Sequence, residues 1–379
     1  MSIFYCSGII PVLLSSALIK SKFKDEKNVI ILENAITIPL WISFSQTSKY
    51  ENVIAQLILK SVAWDEVHSL HFTNSFISFR RLFHFIKKLP LENIRIIKDK
   101  KSLIKKINNI FKNNIDSKII VSDNSILLKY FYDDALNISY LEHGAASYAS
   151  KLIAKDSRYY VKKVISKLSG VNLNRIVDNI YLSDNGKSSK SKKILPFGSG
   201  VQPISCDLSS HIIEIYSVFI ERFKVEHYEA FMELEDIKSR CIRGSLFIYL
   251  PTGIVQEDEY SEYLKNQLSQ FDALDGSEFL IKPHGNDTNR DYSYHFTNCG
   301  ASSFSFVNKI NVYIPVEFLI LYFENAKMVS SYSTAHLYIN WWLNKSTIFT
   351  RVLGSSVDAE LLNEYRPVLD DIENLLLKQ

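Results

Sequence analysis

An α/β chain of two domains, each built on a parallel sheet with helices on both faces, is what this sequence predicts. Three observations carry the expectation. Short continuous apolar runs alternate with segments of helical periodicity in both halves of the chain, the pattern of strands buried on both faces. A basic, low-complexity stretch, Lys187-Ser-Ser-Lys-Ser-Lys-Lys193, followed by Gly198-Ser-Gly200, separates the two series. Several apolar runs also stop abruptly at residues that carry chemistry, as strands do at the ligand-binding edge of an open α/β sheet. With 379 residues the chain is too long for one ordinary core and suits two domains of about 150 to 200 residues each. The expected division is 1–190 and 200–355, with 356–379 a closing helix and the boundary near 186–204.

Taken in order, Ile3 to Cys6 reads as a strand, followed by a Ser7-Gly8 turn and a helix entered at Pro11, because proline suits a first helical turn. The same apolar stretch has no basic residue before it and is too short to span a bilayer, so it is not read as a signal peptide. Further strands are expected at 28–33, 66–72, 93–97, 118–122, 137–144 and 179–183, and helices at 53–63, 76–88, 102–111 and 158–168. They make a Rossmann-like half without the G-x-G-x-x-G fingerprint, since Ser7-Gly8 supplies a single glycine. In the second half, helices at 209–222 and 228–241 precede a strand at 245–250, a helix at 259–274 and the strand beginning at Glu278. A helix with Pro315 at its start, a hydroxyl-tipped strand at 327–334, an aromatic helix at 335–343, a strand at 346–353 and a helix at 361–377 follow. Trp341 and Trp342 are expected in the second core.

Composition excludes several classes. A hydrophobic content of 46% with 22% charged residues is that of a globular protein, and a net charge of +3 gives no global field to recruit nucleic acid or an acidic membrane. Cys6, Cys206, Cys241 and Cys299 lack metal-site or disulfide-framework spacing, which argues against structural zinc and structural disulfides and leads to the expectation of a reducing compartment, with a cytoplasmic location expected. His68 and His71 fall on opposite faces of a strand and cannot share a metal. Glu257-Asp258-Glu259 reads as an acidic helix start. No P-loop, G-x-S-x-G or H-E-x-x-H is present.

The chemistry-bearing strand ends are three. Glu278-Phe-Leu-Ile-Lys-Pro-His-Gly285 delivers Lys282 and His284, Asn137-Ile-Ser-Tyr-Leu-Glu-His-Gly144 delivers Glu142 and His143, and Lys327-Met-Val-Ser-Ser-Tyr-Ser-Thr334 delivers hydroxyls. One fixed cation, one imidazole and the hydroxyls of Ser330, Ser331, Ser333 and Thr334, at a helix start, suit a phosphate. The plainer reading of those hydroxyls is helix capping. Glu142 stands where a general base would, with His143 a rival whose ordinary pKa lies nearer neutrality. Glu317, two residues after Pro315, can accept hydrogen bonds from a ribose diol or simply offset a helix dipole. Thr252 and Gly253 close the first strand of the second half, where a glycine lets backbone approach a ligand.

This order of motifs resembles the bacterial sialyltransferases, and most closely the capsular polysialyltransferase family. The resemblance spans residues 140 to 334, on an acidic-residue-glycine strand end (Glu142-His143-Gly144), a histidine strand end (Lys282-Pro283-His284), a Pro-x-Glu helix start (Glu317) and a Ser/Thr pair (Ser333-Thr334). Two positions depart from the family pattern: His143 replaces its second acidic residue, and Gly285 follows the histidine where the family has proline. The resemblance implies a GT-B fold of two Rossmann-like domains facing each other across a cleft. It implies inverting transfer from CMP-sialic acid or another CMP-activated nonulosonic acid to an oligosaccharide or polysaccharide acceptor in capsule synthesis, with no metal or other cofactor required. Glu142 would be the general base, His284 would act on the departing phosphate with Lys282, Glu317 would hold the ribose, and Ser333 and Thr334 the phosphate.

Arg80, Arg81, Lys87, Lys88 and the lysines near 100 to 106 are expected either to guide an anionic glycan or to keep the protein at the inner membrane beside capsule-assembly partners, or to be a solvated helix face. Two other functions stay open at this point. One is a CDP-glycerol or CDP-ribitol glycerophosphotransferase with His143 as base, and the other is a non-catalytic glycan-binding protein.

Overall fold

The computed structural model describes residues 1–39, 47–77, 94–97, 100–114, 116–122, 138–142, 179–183, 193–194, 200–240, 246–251, 260–269, 277–283, 291–299, 303–307, 309–331 and 333–350. The chain divides into two compact units, one running to Cys206 and one from Asp207 onward, with Ser183 grouping with the second. Both are α/β units on mainly parallel sheets, the class the sequence predicts.

The first unit holds strands β1 (Ser2–Cys6), β2 (Asn28–Pro39), β3 (Glu66–Ile77), β4 (Ile94–Ile97), β5 (Lys118–Ser122), β6 (Ile138–Leu141), β7 (Asn179–Leu182), β8 (Lys193–Ile194) and β9 (Gly200–Ser205). Their order across the sheet is β4-β3-β2-β1-β5-β6-β7-β9-β8. Successive strands lie to one side of β1 and then to the other, so the order reverses between β1 and β5. Helices α1 (Ile9–Ser21), α2 (Thr47–Leu59) and α3 (Lys100–Lys112) belong to this unit. β1 is buried along its whole length, and α1 buries Pro11 through Ile19. A helix apolar on every side is a core helix, which explains the leader-like composition of this stretch. Gly8 begins the turn between β1 and α1 at φ 89°, ψ 173°, a backbone region open essentially to glycine alone. At the sheet reversal the Ser7 amide donates to Ser122 Oγ at 3.0 Å, tying the ends of β1 and β5 together.

Three expectations change here. β3–β4 and β8–β9 pair antiparallel, and the antiparallel edges flank an otherwise parallel sheet. The stretch read as a linker near 186–204 contains β8 and most of β9. Phe76 and Ile77, expected to begin a helix, extend β3. The other expected helix residues through Lys88, the helix at 158–168 and the helix at 356–379 lie outside the described residues. Of the expected basic surface, Arg80, Arg81, Lys87 and Lys88 also lie outside them, whereas Lys101, Lys105 and Lys106 are exposed on α3.

The second unit holds helices α4 (Ser209–Glu226) and α5 (Tyr228–Arg240), then β10 (Leu246–Tyr249), α6 (Tyr260–Leu268), β11 (Glu278–Ile281), α7 (Tyr292–Asn298), β12 (Phe304–Phe306), a 3-10 helix (Lys309–Tyr313), α8 (Val316–Tyr322), β13 (Lys327–Ser330), α9 (Ala335–Leu343) and β14 (Ile348–Phe349). The sheet runs β12-β11-β10-β13-β14, with all four pairings parallel. One face packs on α6 and α7 through Tyr249, Ile281, Val329, Tyr260, Tyr263, Leu264 and Phe296, all at most 1% exposed. Each such side chain contributes roughly 1.5–3 kcal/mol relative to exposure. Trp342 stacks on Tyr338 with centroids 4.1 Å apart, and both tryptophans lie in the core as expected. α7, β12 and the 3-10 helix have no counterpart among the expected elements.

Candidate functional site

The second unit's strand order reverses between β10 and β13, and open α/β sheets bind ligands beyond the carboxyl ends of the strands at such a reversal. Tyr249 pairs with both Ile281 and Val329, so the residues one step beyond form a row: Lys282, Leu250 and Ser330. Backbone bonds carry the sheet one residue past the strands, Lys282 N to Tyr249 O at 2.9 Å and Leu250 N to Val329 O at 3.0 Å. Two strand spacings separate Lys282 from Ser330, about 10 Å.

Lys282 and Glu317, assigned separately from the sequence to phosphate and ribose, are brought together. The Lys282 amine donates to Val312 O in the 3-10 helix at 2.7 Å. Burial pushes its pKa down to about 8, with the Glu317 charge opposing. Glu317, 3% exposed in the first turn of α8, is pushed up to about 7 by burial, against the pull of its own backbone amide and of Lys282. Two groups poised this close to neutrality can change charge when a ligand alters their surroundings, a property that concentrates at functional sites. Their support is firm. α8 packs on α4 through Phe318 against Phe219 (5.1 Å) and Tyr216 (5.4 Å), and Asn311 anchors the 3-10 helix by donating to Ala230 O at 2.9 Å.

The hydroxyl cluster after β13 divides. Ser331 is 2% exposed, and its hydroxyl meets Tyr263 OH at 2.7 Å, Thr350 Oγ1 at 3.0 Å and the amide of Gln267. Gln267 also donates to Thr350 Oγ1 and accepts from Tyr249 OH, both at 2.6 Å. Ser330 Oγ donates to Leu250 O at 3.3 Å. Ser330 and Ser331 are therefore committed to the fold, which corrects the reading that placed their hydroxyls on a phosphate. Ser333 Oγ accepts from Ala335 N at 3.2 Å and so caps α9, and Thr334 is its N-cap residue; both are half-buried. Since a hydroxyl accepting one bond can still donate another, Ser333 keeps chemistry for a ligand.

His336, in the first turn of α9, was not singled out from the sequence. It is 0% exposed, with Nε2 3.0 Å from Ser330 O and Nδ1 2.7 Å from Thr347 Oγ1. A carbonyl only accepts, so Nε2 carries the proton and Nδ1 accepts from the threonine. Burial lowers its pKa to about 4 and keeps the ring neutral. Gln267 was missed too; its only signal was position, since it shares the spacing of Tyr260, Tyr263, Leu264 and Leu268 on the apolar face of α6.

In the first unit Glu142 follows β6, its amide donating to Tyr181 O at 3.2 Å, and the residue is 0% exposed. An exposed turn glutamate is excluded. His143, Thr252, Gly253 and His284 lie outside the described residues. Among the described residues no group of three or more His, Cys, Asp or Glu side chains is placed to hold a metal ion, and no helix is long and apolar enough to cross a membrane.

No protein-family model matches the sequence, and no curated protein matches it. Among solved structures, the chain is similar to the GT-B domain of a sialyltransferase from Photobacterium damselae, at 11% identity over 99% of this chain and 97% of that chain, with a TM-score of 0.48. It is also similar to a UDP-GlcNAc 2-epimerase from Neisseria meningitidis bound to UDP-GlcNAc (9% identity, 100% and 92% coverage, TM-score 0.43). A UDP-forming α,α-trehalose-phosphate synthase from Burkholderia vietnamiensis gives 10% identity, 100% and 92% coverage and a TM-score of 0.42. Likenesses at this level assign neither a family nor an activity.

Proposed function

We propose that the chain is an inverting glycosyltransferase of the GT-B class that takes sialic acid or a related nonulosonic acid from a CMP-activated donor and delivers it to a glycan acceptor in surface polysaccharide synthesis. One observation carries the reading: at the end of β11, beside the β10/β13 reversal, the half-buried Lys282 amine feels the charge of the buried Glu317, and the chain leaving β13 leads to Ser333 and Thr334. A nucleotide sugar asks for that combination, a hydrogen-bond acceptor for a ribose diol together with a cation and hydroxyls for the phosphate. The sequence assigns Thr252 and Gly253, which follow β10 in the chain, to the same ligand.

A CMP-linked donor is already activated, so the protein has two tasks. It must accept a proton from the attacking hydroxyl, and it must stabilise the departing phosphate as its charge grows. Glu142 is assigned the first task. His284 is assigned the second as hydrogen-bond or proton donor, with Lys282 supplying charge. The pair Lys282–Glu317 suits a phosphate in one further respect: an arriving anion favours the charged amine and so opposes the burial that depresses it. The proposal requires no metal and places the protein in the cytoplasm, at the inner membrane when it meets its acceptor.

The complete burial of Glu142 favours a second reading, in which His143 is the base and CDP-glycerol or CDP-ribitol the donor. A thermal-shift series with CMP, CDP, UMP, UDP and GDP tests the donor assignment. CMP should stabilise the protein, and Lys282→Ala should remove the effect. Stabilisation by UDP or GDP with none by CMP would exclude a CMP-linked donor.

A further inference from the structure

We propose that His336 is a positioning residue for the nucleotide, acting through the Ser330 carbonyl rather than by touching ligand. The inference rests on the reading of the β10/β13 reversal as the donor site. Ser330 O accepts twice, from Thr350 N at 3.1 Å and from His336 Nε2 at 3.0 Å, so both lone pairs are used and the peptide leaving β13 has one orientation. That peptide begins the five-residue path from Ser330 to Thr334, on which the Ser333 hydroxyl, accepting from Ala335 N, still has a proton to donate to a phosphate. On its other edge the ring accepts from Thr347 Oγ1 at 2.7 Å, one residue before β14, and its face meets Phe349 edge-on with centroids 5.3 Å apart.

One imidazole thus joins the end of β13, the start of α9 and the approach to β14. An apolar side chain would fill the space but leave a buried carbonyl with one bond fewer. A charged group would be costly there, since the residue is fully buried. A neutral ring with a donor on one edge and an acceptor on the other meets both demands. Gln267 holds the next residue by its donation to the Ser331 hydroxyl. Two successive residues at the end of β13 are thus held by side chains of α6 and α9, the arrangement that a site on a rigid frame requires.

Two near-isosteres separate positioning from packing. The amide nitrogen of glutamine reaches the place of Nε2, toward Ser330 O, whereas that of asparagine reaches only the place of Nδ1, toward Thr347. CMP affinity should fall about tenfold in His336→Asn and His336→Ala, the scale of one lost buried hydrogen bond, and recover to within about threefold of wild type in His336→Gln. Thermal unfolding without ligand controls for stability, and both amide variants should lose Tm to a similar extent. Equal affinity loss in the Gln and Asn variants, or loss that simply follows Tm, would overturn the inference. No CMP binding by the wild-type protein would instead refute the donor reading on which it rests. In the wild type, imidazole nitrogen resonances should show a protonated Nε2 and a bare Nδ1 at neutral pH; the reverse tautomer would also overturn it.

Discussion

Replacing Glu317 by glutamine should change how stability depends on pH. Burial raises the carboxyl from its ordinary 4.5 to about 7, with the Lys282 charge pulling the other way. A carboxyl whose folded pKa exceeds its unfolded one holds its proton more tightly in the native state. Its contribution is therefore fully present below about pH 4.5 and is lost as pH rises to about 7. The interval is about 2.5 pH units, which corresponds to about 3 kcal/mol. Glutamine resembles the protonated acid and does not titrate, so Glu317→Gln should match wild type near pH 4.5 and exceed it by about 3 kcal/mol at pH 7.5. For a unit of this size that is about 6–12 °C in Tm. Lys282 acts in a separate window: its folded pKa of about 8 lies below the ordinary 10.5, so the stability its burial withholds returns as pH rises from about 8 toward 10.5. Removing the Glu317 charge should lower the Lys282 pKa further. Denaturant unfolding followed by tryptophan fluorescence, across pH 4.5 to 10.5, reads both effects. A difference between variant and wild type that stays flat across pH would refute a Glu317 carboxyl whose proton is held by burial.

Three further outcomes follow from named contacts. Glu142→Gln should reduce sugar transfer by about 10²- to 10⁴-fold, the range of a lost general base, while CMP affinity stays within about twofold; calorimetry with CMP beside a transfer assay separates the two. Gln267→Leu strips partners from the buried Tyr249, Ser331 and Thr350 and should destabilise the second unit by about 2–4 kcal/mol in denaturant unfolding, a larger cost than the same change at an exposed helix position. Gly8→Ala forces a Cβ into a glycine-only backbone region and should cost about 1–3 kcal/mol of first-unit stability, with CMP binding unchanged.

Much of the architecture was legible because its cause is local. β5 and β11 announce themselves as apolar runs bounded by polar residues, and α1 betrays its burial by being apolar on every side. What was illegible depends on partners distant in sequence. Nothing in Ile94–Ile97 shows that it pairs antiparallel with β3, because direction is set by where the preceding chain turns. β12 is three residues long, too short for periodicity to mark it. Within the site, the sequence singled out Lys282 and Glu317 but not their mutual influence, which depends on the 3-10 helix: its Val312 carbonyl takes the Lys282 amine, and Glu317 opens the helix that follows. It also credited Ser330 and Ser331 with ligand contacts, whereas tertiary partners 64 to 80 residues away in sequence claim their hydroxyls. His336 and Gln267 look like ordinary helix residues until the strands they clamp are in place.

The central claim, that a carboxylate and an imidazole serve one CMP-linked donor, is tested most directly by CMP release from CMP-sialic acid in the presence of a glycan acceptor, compared across wild type, Glu142→Gln, His143→Ala and His284→Ala. The account predicts release by wild type and by His143→Ala, with loss in the other two variants. Release that survives Glu142→Gln but disappears with His143→Ala would contradict it, as would a wild type that releases no CMP yet turns over CDP-glycerol.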